Sequence, residues 1–101
     1  MRILPKPIAF EWDKGNIDKN LKKHSVNDKE AEEVFGNKPI FIFKDDQHSI
    51  SEKRFMIWGV NNERRKLAVI FTIRKDKIRV ISARDMHKKE RREYISKAKT
   101  F

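Results

Sequence analysis

The side chains best suited to chemistry in this sequence are arginines and histidines near one predicted strand. Arg79 and Arg84 stand five residues apart in the segment 78–85, which opens with the β-branched residues typical of a strand. His24 and His48 lie earlier in the chain. Arginine offers a phosphate a fixed, bidentate positive charge, and histidine exchanges a proton near neutral pH. These residue types suit cleavage of an RNA phosphodiester, in which the 2′-hydroxyl attacks and the 5′-oxygen leaves.

The spacing of the two arginines complicates a shared role, and Arg84 also allows a structural interpretation. Because side chains alternate along a strand, residues at odd separation point to opposite faces of a regular one. A bulge, or the end of the strand near Ala83, is needed to bring Arg79 and Arg84 together. Arg84 can instead pair with Glu90 or Asp85 and hold the last helix. The sequence leaves open whether one or both arginines grip the scissile phosphate or whether Arg84 only holds the last helix.

The histidines carry alternatives of the same kind. His24 ends the first predicted helix on its apolar face, where it can simply pack and cap, and Lys23 beside it adds positive charge. His48 lies in a polar loop, and loops often carry functional residues. Asp46 can orient His48 for proton transfer, or His48 can serve only to cap the loop. We predict that His48, ahead of His24, transfers a proton.

Positive charge is concentrated at the C-terminal end of the chain. The 101 residues carry a formal net charge of +10, and residues 74–101 hold eleven Lys or Arg against four Asp or Glu. Small basic proteins of this kind most often bind a polyanion, usually nucleic acid, and an acidic protein is the main competitor. We expect the cations of the last helix and the end of the first to bind RNA, adding affinity rather than catalysis: Lys23, Lys88, Lys89, Arg91 and Arg92.

The sequence lacks the signatures of several other classes of protein. It has no cysteine for disulfides or thiolate chemistry, no Gly-rich phosphate loop and no zinc-protease motif. Its three histidines are far apart without metal-ligand spacing, so we expect no metal and no cofactor. There is no apolar run of about 18 residues and no signal-peptide pattern, so we expect a cytoplasmic protein outside the membrane.

The predicted elements form a single α+β domain over residues 1–101. The second helix is predicted to start after Asn27 as N-cap, with Glu30 completing a capping box. Short connections indicate an antiparallel sheet of four to five strands, with two N-terminal helices and a C-terminal helix, all on one face of the sheet. The predicted helices cover 15–24, 28–35 and roughly 88–99, and the predicted strands cover 10–12, 40–43, 53–60, 67–73 and a segment starting at 78.

A set of short motifs runs through the chain in an order and spacing typical of a known family. The motifs are Phe10-Glu11-Trp12-Asp13, Asn20, Lys23-His24, Ala31, Val34-Phe35, Asp46-x-His48, Glu52-x-Arg54-Phe55, Gly59, Ile81-Ser82-Ala83-Arg84 and Glu90-Arg91-x-x-Tyr94. In these residues the sequence resembles the BrnT family of bacterial type II toxins. Two positions depart from the family's usual pattern: Ser25 replaces a glycine suited to a left-handed helix end, and Asn16 stands where lysine is frequent.

The resemblance implies a RelE-like ribonuclease toxin that needs no metal and inhibits translation and growth. It also implies a cognate antitoxin of the BrnA type, with a ribbon-helix-helix DNA-binding domain, so that the toxin itself does not read DNA. On this basis we predict RNA cleavage in which Arg79 and Arg84 stabilise the phosphorane and His48 or His24 transfers a proton. The alternative is a basic module that holds RNA or an acidic partner without cutting it, since no clear general base stands out.

Overall fold

Among the residues that the structure describes, two helices come first, four strands follow, and a third helix comes last. The computed structural model describes residues 3–46 and 52–100. Within them the elements are α1 (Lys14–His24), α2 (Asp28–Val34), β1 (Phe41–Lys44), β2 (Phe55–Val60), β3 (Lys66–Arg74), β4 (Lys77–Asp85) and α3 (Lys88–Ala98). The strands pair antiparallel in the order β1-β2-β3-β4, which confirms the α+β prediction. No helix in this part of the chain is long and apolar enough to cross a membrane.

The sheet separates two hydrophobic clusters. Ile57, Val69 and the other inward residues of one face pack with α2, whereas Trp58 and Ala68 pack on the other face with Tyr94 of α3. The prediction that all helices cover one face is therefore wrong. Strands β2 and β3 are apolar at consecutive positions, so both faces of the sheet must be covered.

The prediction of a first strand at 10–12 is also wrong. Phe10 forms only an isolated parallel bridge with Ile78 of β4. Around it the Glu11 N–H donates to the Ile78 carbonyl at 2.9 Å, and the Ile78 N–H donates to the Ala9 carbonyl at 2.8 Å. The chain leaves β4 at once, because Asp13 caps α1 by accepting a hydrogen bond from the Gly15 N–H. This segment covers part of the edge of β4 without extending the sheet.

The ends of α1 and α2 follow their sequence signals. The Asn27 side chain accepts from the Glu30 N–H at 2.8 Å and the Glu30 carboxylate accepts from the Asn27 N–H at 3.3 Å, which confirms the capping box. Ser25 ends α1 with φ 54° and ψ 37°, the left-handed conformation that the related glycine would adopt more readily. Its N–H donates to the Leu21 carbonyl at 3.0 Å. The serine is thus accommodated at a conformational cost of about 1 kcal/mol.

One irregularity interrupts the pairing of β4 with β3. Ile70 pairs with Ser82 while the next residue, Phe71, pairs with Val80, so Ile81 is an extra residue on β4. Such a β-bulge reverses the alternation of side chains on the strand that carries it. Even-numbered residues of β4 before Ile81 therefore face the same side of the sheet as odd-numbered residues after it.

The bulge decides where the two predicted catalytic arginines point. Arg79 pairs with Thr72 and Arg84 pairs with Ala68, positions an even number of residues apart on β3. Directly opposed residues of an antiparallel pair project to the same side. Arg79 and Arg84 therefore lie on the same face of the sheet, the one that carries α3, as the phosphate-binding interpretation required.

Candidate active site

A cleft of about 350 Å³ opens beside the C-terminal end of β4. Its walls come from α1, the residue after β1, the residue before β2, and strands β3 and β4. Three of the lining residues are cations, one is an acid and one carries a hydroxyl group, so the cleft offers positive charge together with a partly apolar surface. The lining residues are Lys19, Asp45, Arg54, Ile70, Ile81, Ser82 and Arg84.

Arg84 lies where this cleft meets α3. Its guanidinium forms a bidentate ion pair with Glu90, with Nη1 at 2.7 Å from Oε1 and Nη2 at 3.1 Å from Oε2, and Nη1 also donates to the Asp85 carbonyl at 3.1 Å. The structural alternative expected from the sequence is therefore present. A guanidinium has five N–H groups, and residues in the described part of the chain take only three of these. Arg84 thus holds α3 and still lines the cleft.

Glu90 fixes the orientation of Arg84 because it is itself held at the start of α3. Its Oε1 also accepts from the backbone N–H of His87, the residue before the helix, at 2.7 Å. Burial opposes ionisation of Glu90, but the hydrogen bonds from Arg84 and His87 outweigh it and lower the pKa of Glu90 from its ordinary value. An ionised Glu90 at neutral pH keeps the guanidinium in one place, which is the preorganisation that a phosphate-binding arginine needs.

His24 lies at the end of α1, where its imidazole interacts electrostatically with charged residues of β4. Desolvation by burial lowers the pKa of His24, and the positive charges of Lys23, Arg84 and Lys19 lower it further, while Asp85 raises it. The net pKa lies below the ordinary value of 6.5. The imidazole is therefore neutral at neutral pH, the form that accepts a proton.

Arg79 does not share the cleft with Arg84. Its Nη1 lies 3.1 Å from Glu11 Oε1 and its Nη2 lies 3.3 Å from Asp13 Oδ2. The β3 partners of the two arginines, Ala68 and Thr72, are four positions apart, which corresponds to roughly 13 Å along the strand. Arg79 thus ties β4 to the beginning of α1 and does not meet Arg84 at a single phosphate in this structure.

The other predicted residues are dispersed. Lys23 is exposed on α1 next to His24. Lys88, Lys89 and Arg92 are exposed on α3, and the exposed Arg91 donates to the Met86 carbonyl at 2.7 Å. His48 lies outside the described residues.

Sequence analysis missed Lys19, Arg54 and Ser82 as lining residues. Lys19 stands four residues before Lys23, a spacing that puts both on one side of a helix and was the available signal. Ser82 and Arg54 are brought to the cleft by strand pairing, which the local sequence does not reveal. In the described part of the chain, no group of three or more His, Asp or Glu residues is arranged to hold a metal ion.

Taken together, these features define a small, basic α+β protein with a cleft that is lined by a preoriented arginine. His24 is not among the lining residues, although the charge of Arg84 contributes to its lowered pKa after burial and Lys23. The family model described as "Ribonuclease toxin, BrnT, of type II toxin-antitoxin system" matches residues 12–90. The chain belongs to this family of ribonuclease toxins.

A solved structure supports the same assignment. It is the 1.1 Å crystal structure of the Brucella abortus ribonuclease toxin BrnT, which is 27% identical in sequence and superposes with a TM-score of 0.56. The match covers 80% of this chain and 99% of that chain. No curated protein sequence gave a significant match.

We predict that Glu90→Gln lowers the free energy of unfolding by about 1–3 kcal/mol at neutral pH, because an amide cannot accept both bonds from Arg84. The pKa of Glu90 is lower in the folded state, so its contribution is present above the ordinary value of 4.5 and is lost as pH falls below it. Urea denaturation of both proteins from pH 7 to pH 3 measures this difference.

The matched control is Glu93→Gln, an exposed carboxylate on the same helix, which we expect to change stability by less than about 0.5 kcal/mol. A stability difference between wild type and Glu90→Gln that stayed constant over the whole pH range would contradict the ion pair.

Proposed function

We propose that this chain is a metal-independent endoribonuclease that cuts RNA by attack of a 2′-hydroxyl on the adjacent phosphate, thereby inhibiting translation and growth. The proposal is carried by the cleft at the end of β4, which is lined by the fixed guanidinium of Arg84 and by Lys19. His24 does not line this cleft, but burial and the charges of Lys23 and Arg84 lower the pKa of its imidazole. Membership in a family described as ribonuclease toxins supports the same reaction.

In this proposal the cations of the cleft bind the scissile phosphate. The two N–H groups of Arg84 not taken by Glu90 or Asp85 contact the non-bridging oxygens, and Lys19 adds positive charge from α1. Both groups stabilise the additional negative charge of the phosphorane, where preorganised electrostatics contribute most to the rate. Arg79, engaged by its two carboxylates, contributes through the position of β4 rather than through the phosphate.

His24 is the proposed general base that takes the proton of the 2′-hydroxyl. Its lowered pKa keeps it unprotonated at neutral pH, so cleavage should slow only when pH falls below the ordinary imidazole range. His48, which the sequence predicts to transfer a proton, is the proposed acid for the leaving 5′-oxygen. If His24 is the base, the fall in rate at acidic pH should disappear in the His24→Asn variant. A fall in rate that His24→Asn retains at the same pH would exclude His24 from the reaction.

We predict that the purified toxin cleaves a mixed-sequence RNA oligonucleotide in the presence of EDTA and that Arg84→Ala lowers kcat/KM by about 100-fold. The matched control is Arg74→Ala, because Arg74 is also an ion-paired strand arginine, held by Glu52 at the other end of β3. Arg74→Ala should retain wild-type cleavage and toxicity.

Two results would contradict this prediction. Wild-type activity in a folded Arg84→Ala variant would exclude Arg84 from the site. RNA that the wild type binds but never cuts, with or without EDTA, would favour the non-catalytic binding module instead.

We further propose that the antitoxin is a ribbon-helix-helix protein of the BrnA type that covers the basic surface of this chain with acidic residues. The net charge of +10 and the exposed Lys88, Lys89 and Arg92 support electrostatic attraction of such a partner. The association rate constant should then fall as salt is raised, and one that is equal at low and high salt would count against this mode of binding.

A further inference from the structure

Arg65, in the turn between β2 and β3, uses all five N–H groups of its guanidinium. Nε and Nη2 donate to the two carboxylate oxygens of Asp85 at 2.7 and 3.1 Å. Nη1 donates to the Ser25 carbonyl at 2.9 Å and to Glu30 Oε2 at 3.2 Å. Nη2 also donates to the His24 carbonyl at 3.1 Å. This single side chain therefore contacts the end of α1, the first turn of α2 and the end of β4.

The contacts of Arg65 fall on the backbone that carries the proposed site. His24 supplies one of the terminal carbonyls of α1, which have no partner within the helix. Asp85 directly follows Arg84 on β4. Fixing these two points fixes the backbone positions from which the side chains of His24 and Arg84 project.

Arg65 is itself held firmly enough to act as such a link. The side chain of the buried Asn61 accepts from the Arg65 backbone N–H at 2.8 Å and from the Glu63 N–H at 2.9 Å. Its amide group donates to Glu30 Oε2 at 3.0 Å, the same oxygen that accepts from Arg65. The Arg65 side chain is only 29% exposed, and the hydrogen bonds with Asp85 and Glu30 raise its pKa despite desolvation. Both ends of the residue are thus fixed.

We infer that Arg65 is a positioning residue of the ribonuclease, which sets the distance between His24 and Arg84 without touching RNA. This inference rests on the proposed function. Lysine cannot replace it, because an ammonium group is a single point and cannot span Asp85, Glu30 and the two carbonyls at once. We therefore expect Arg65→Lys, which keeps the charge but removes the planar guanidinium, to misalign His24 and Arg84.

Loss of the fork should also change the titration of His24. The charged groups that face it are Lys19 and Lys23 on α1, Arg84 and Asp85 on β4, and the guanidinium at its own carbonyl. A loosened helix end admits water to the imidazole, and Asp85, without the bidentate contact of the guanidinium, attracts the protonated form more strongly. Both effects raise the pKa of His24.

The test uses the full-length toxin with Arg65→Lys and, as a matched control, Arg64→Lys at the exposed neighbouring position. Three quantities are measured: the NMR pH titration of the His24 ring, kcat and KM for a mixed-sequence RNA oligonucleotide, and urea denaturation. We expect Arg65→Lys to titrate His24 at higher pH and to lower kcat at least about tenfold with little change in KM. Arg64→Lys should match wild type in all three.

A folded Arg65→Lys variant with the wild-type His24 titration overturns the inference, whether its activity is normal or falls only in proportion to the unfolded fraction. If wild type cleaves no RNA, the proposed function fails, and the titration alone still decides the role of Arg65. If Arg65→Lys does not fold, Glu30→Gln removes one arm of the network. An unchanged His24 titration in folded Glu30→Gln then overturns the inference, and a shift to higher pH supports it.

Discussion

The ion pair of Arg84 with Glu90 joins the candidate site to the last helix, and the arrangement of both depends on it. A partly buried arginine without a carboxylate partner would be costly, and one fully enclosed by carboxylates could not bind phosphate. The structure satisfies both requirements, because Glu90 takes one side of the guanidinium and the cleft lies along another. Since Glu90 also accepts from the His87 N–H, docking of α3 and orientation of Arg84 occur together.

The bulge at Ile81 supplies the second constraint. Without this extra residue Arg84 would follow the parity of the core positions of β4, and its charge would point into the cluster that packs under α2. With it, Ala83 faces that core and its N–H donates to the buried Asn20 side chain at 3.3 Å. The same contact brings α1, with Lys19 and His24, to the edge of β4. The extra residue Ile81 thus decides which face of the sheet carries Arg84 and so whether Arg84 can line the cleft.

Local signals were sufficient to predict much of the fold. The capping box of Asn27 and Glu30, the apolar strand runs and the short turns act between near neighbours, so sequence analysis could identify them. The side of the sheet that α3 covers was predicted wrongly, because in α3 only Tyr94 is buried and it carries no directional pattern. The bridge at Phe10 was taken for a strand because its length depends on pairing with β4.

Most of the site depends on contacts between distant parts of the chain. Arg65 reaches His24 across 41 positions, and no local pattern distinguishes it from the neighbouring turn residue Arg64. Arg84 was predicted from its residue type and its place on the segment 78–85, and the ion pair with Glu90 could be anticipated because the two are only 6 positions apart. The charge interaction between His24 and β4, which favours a neutral imidazole, follows only from the packed structure.

In the proposed mechanism RNA is bound for cleavage in the cleft at the end of β4, and NMR mapping can locate the bound RNA on the protein. A 2′-O-methyl RNA oligonucleotide lacks the attacking hydroxyl, so it can be titrated into the wild-type toxin without being cut. We expect the largest chemical-shift changes on the amides of Lys19 and Ser82 and on the Nε–H of Arg84. Changes confined to Lys88, Lys89 and the rest of the exposed surface of α3, with the cleft signals unmoved, would contradict it.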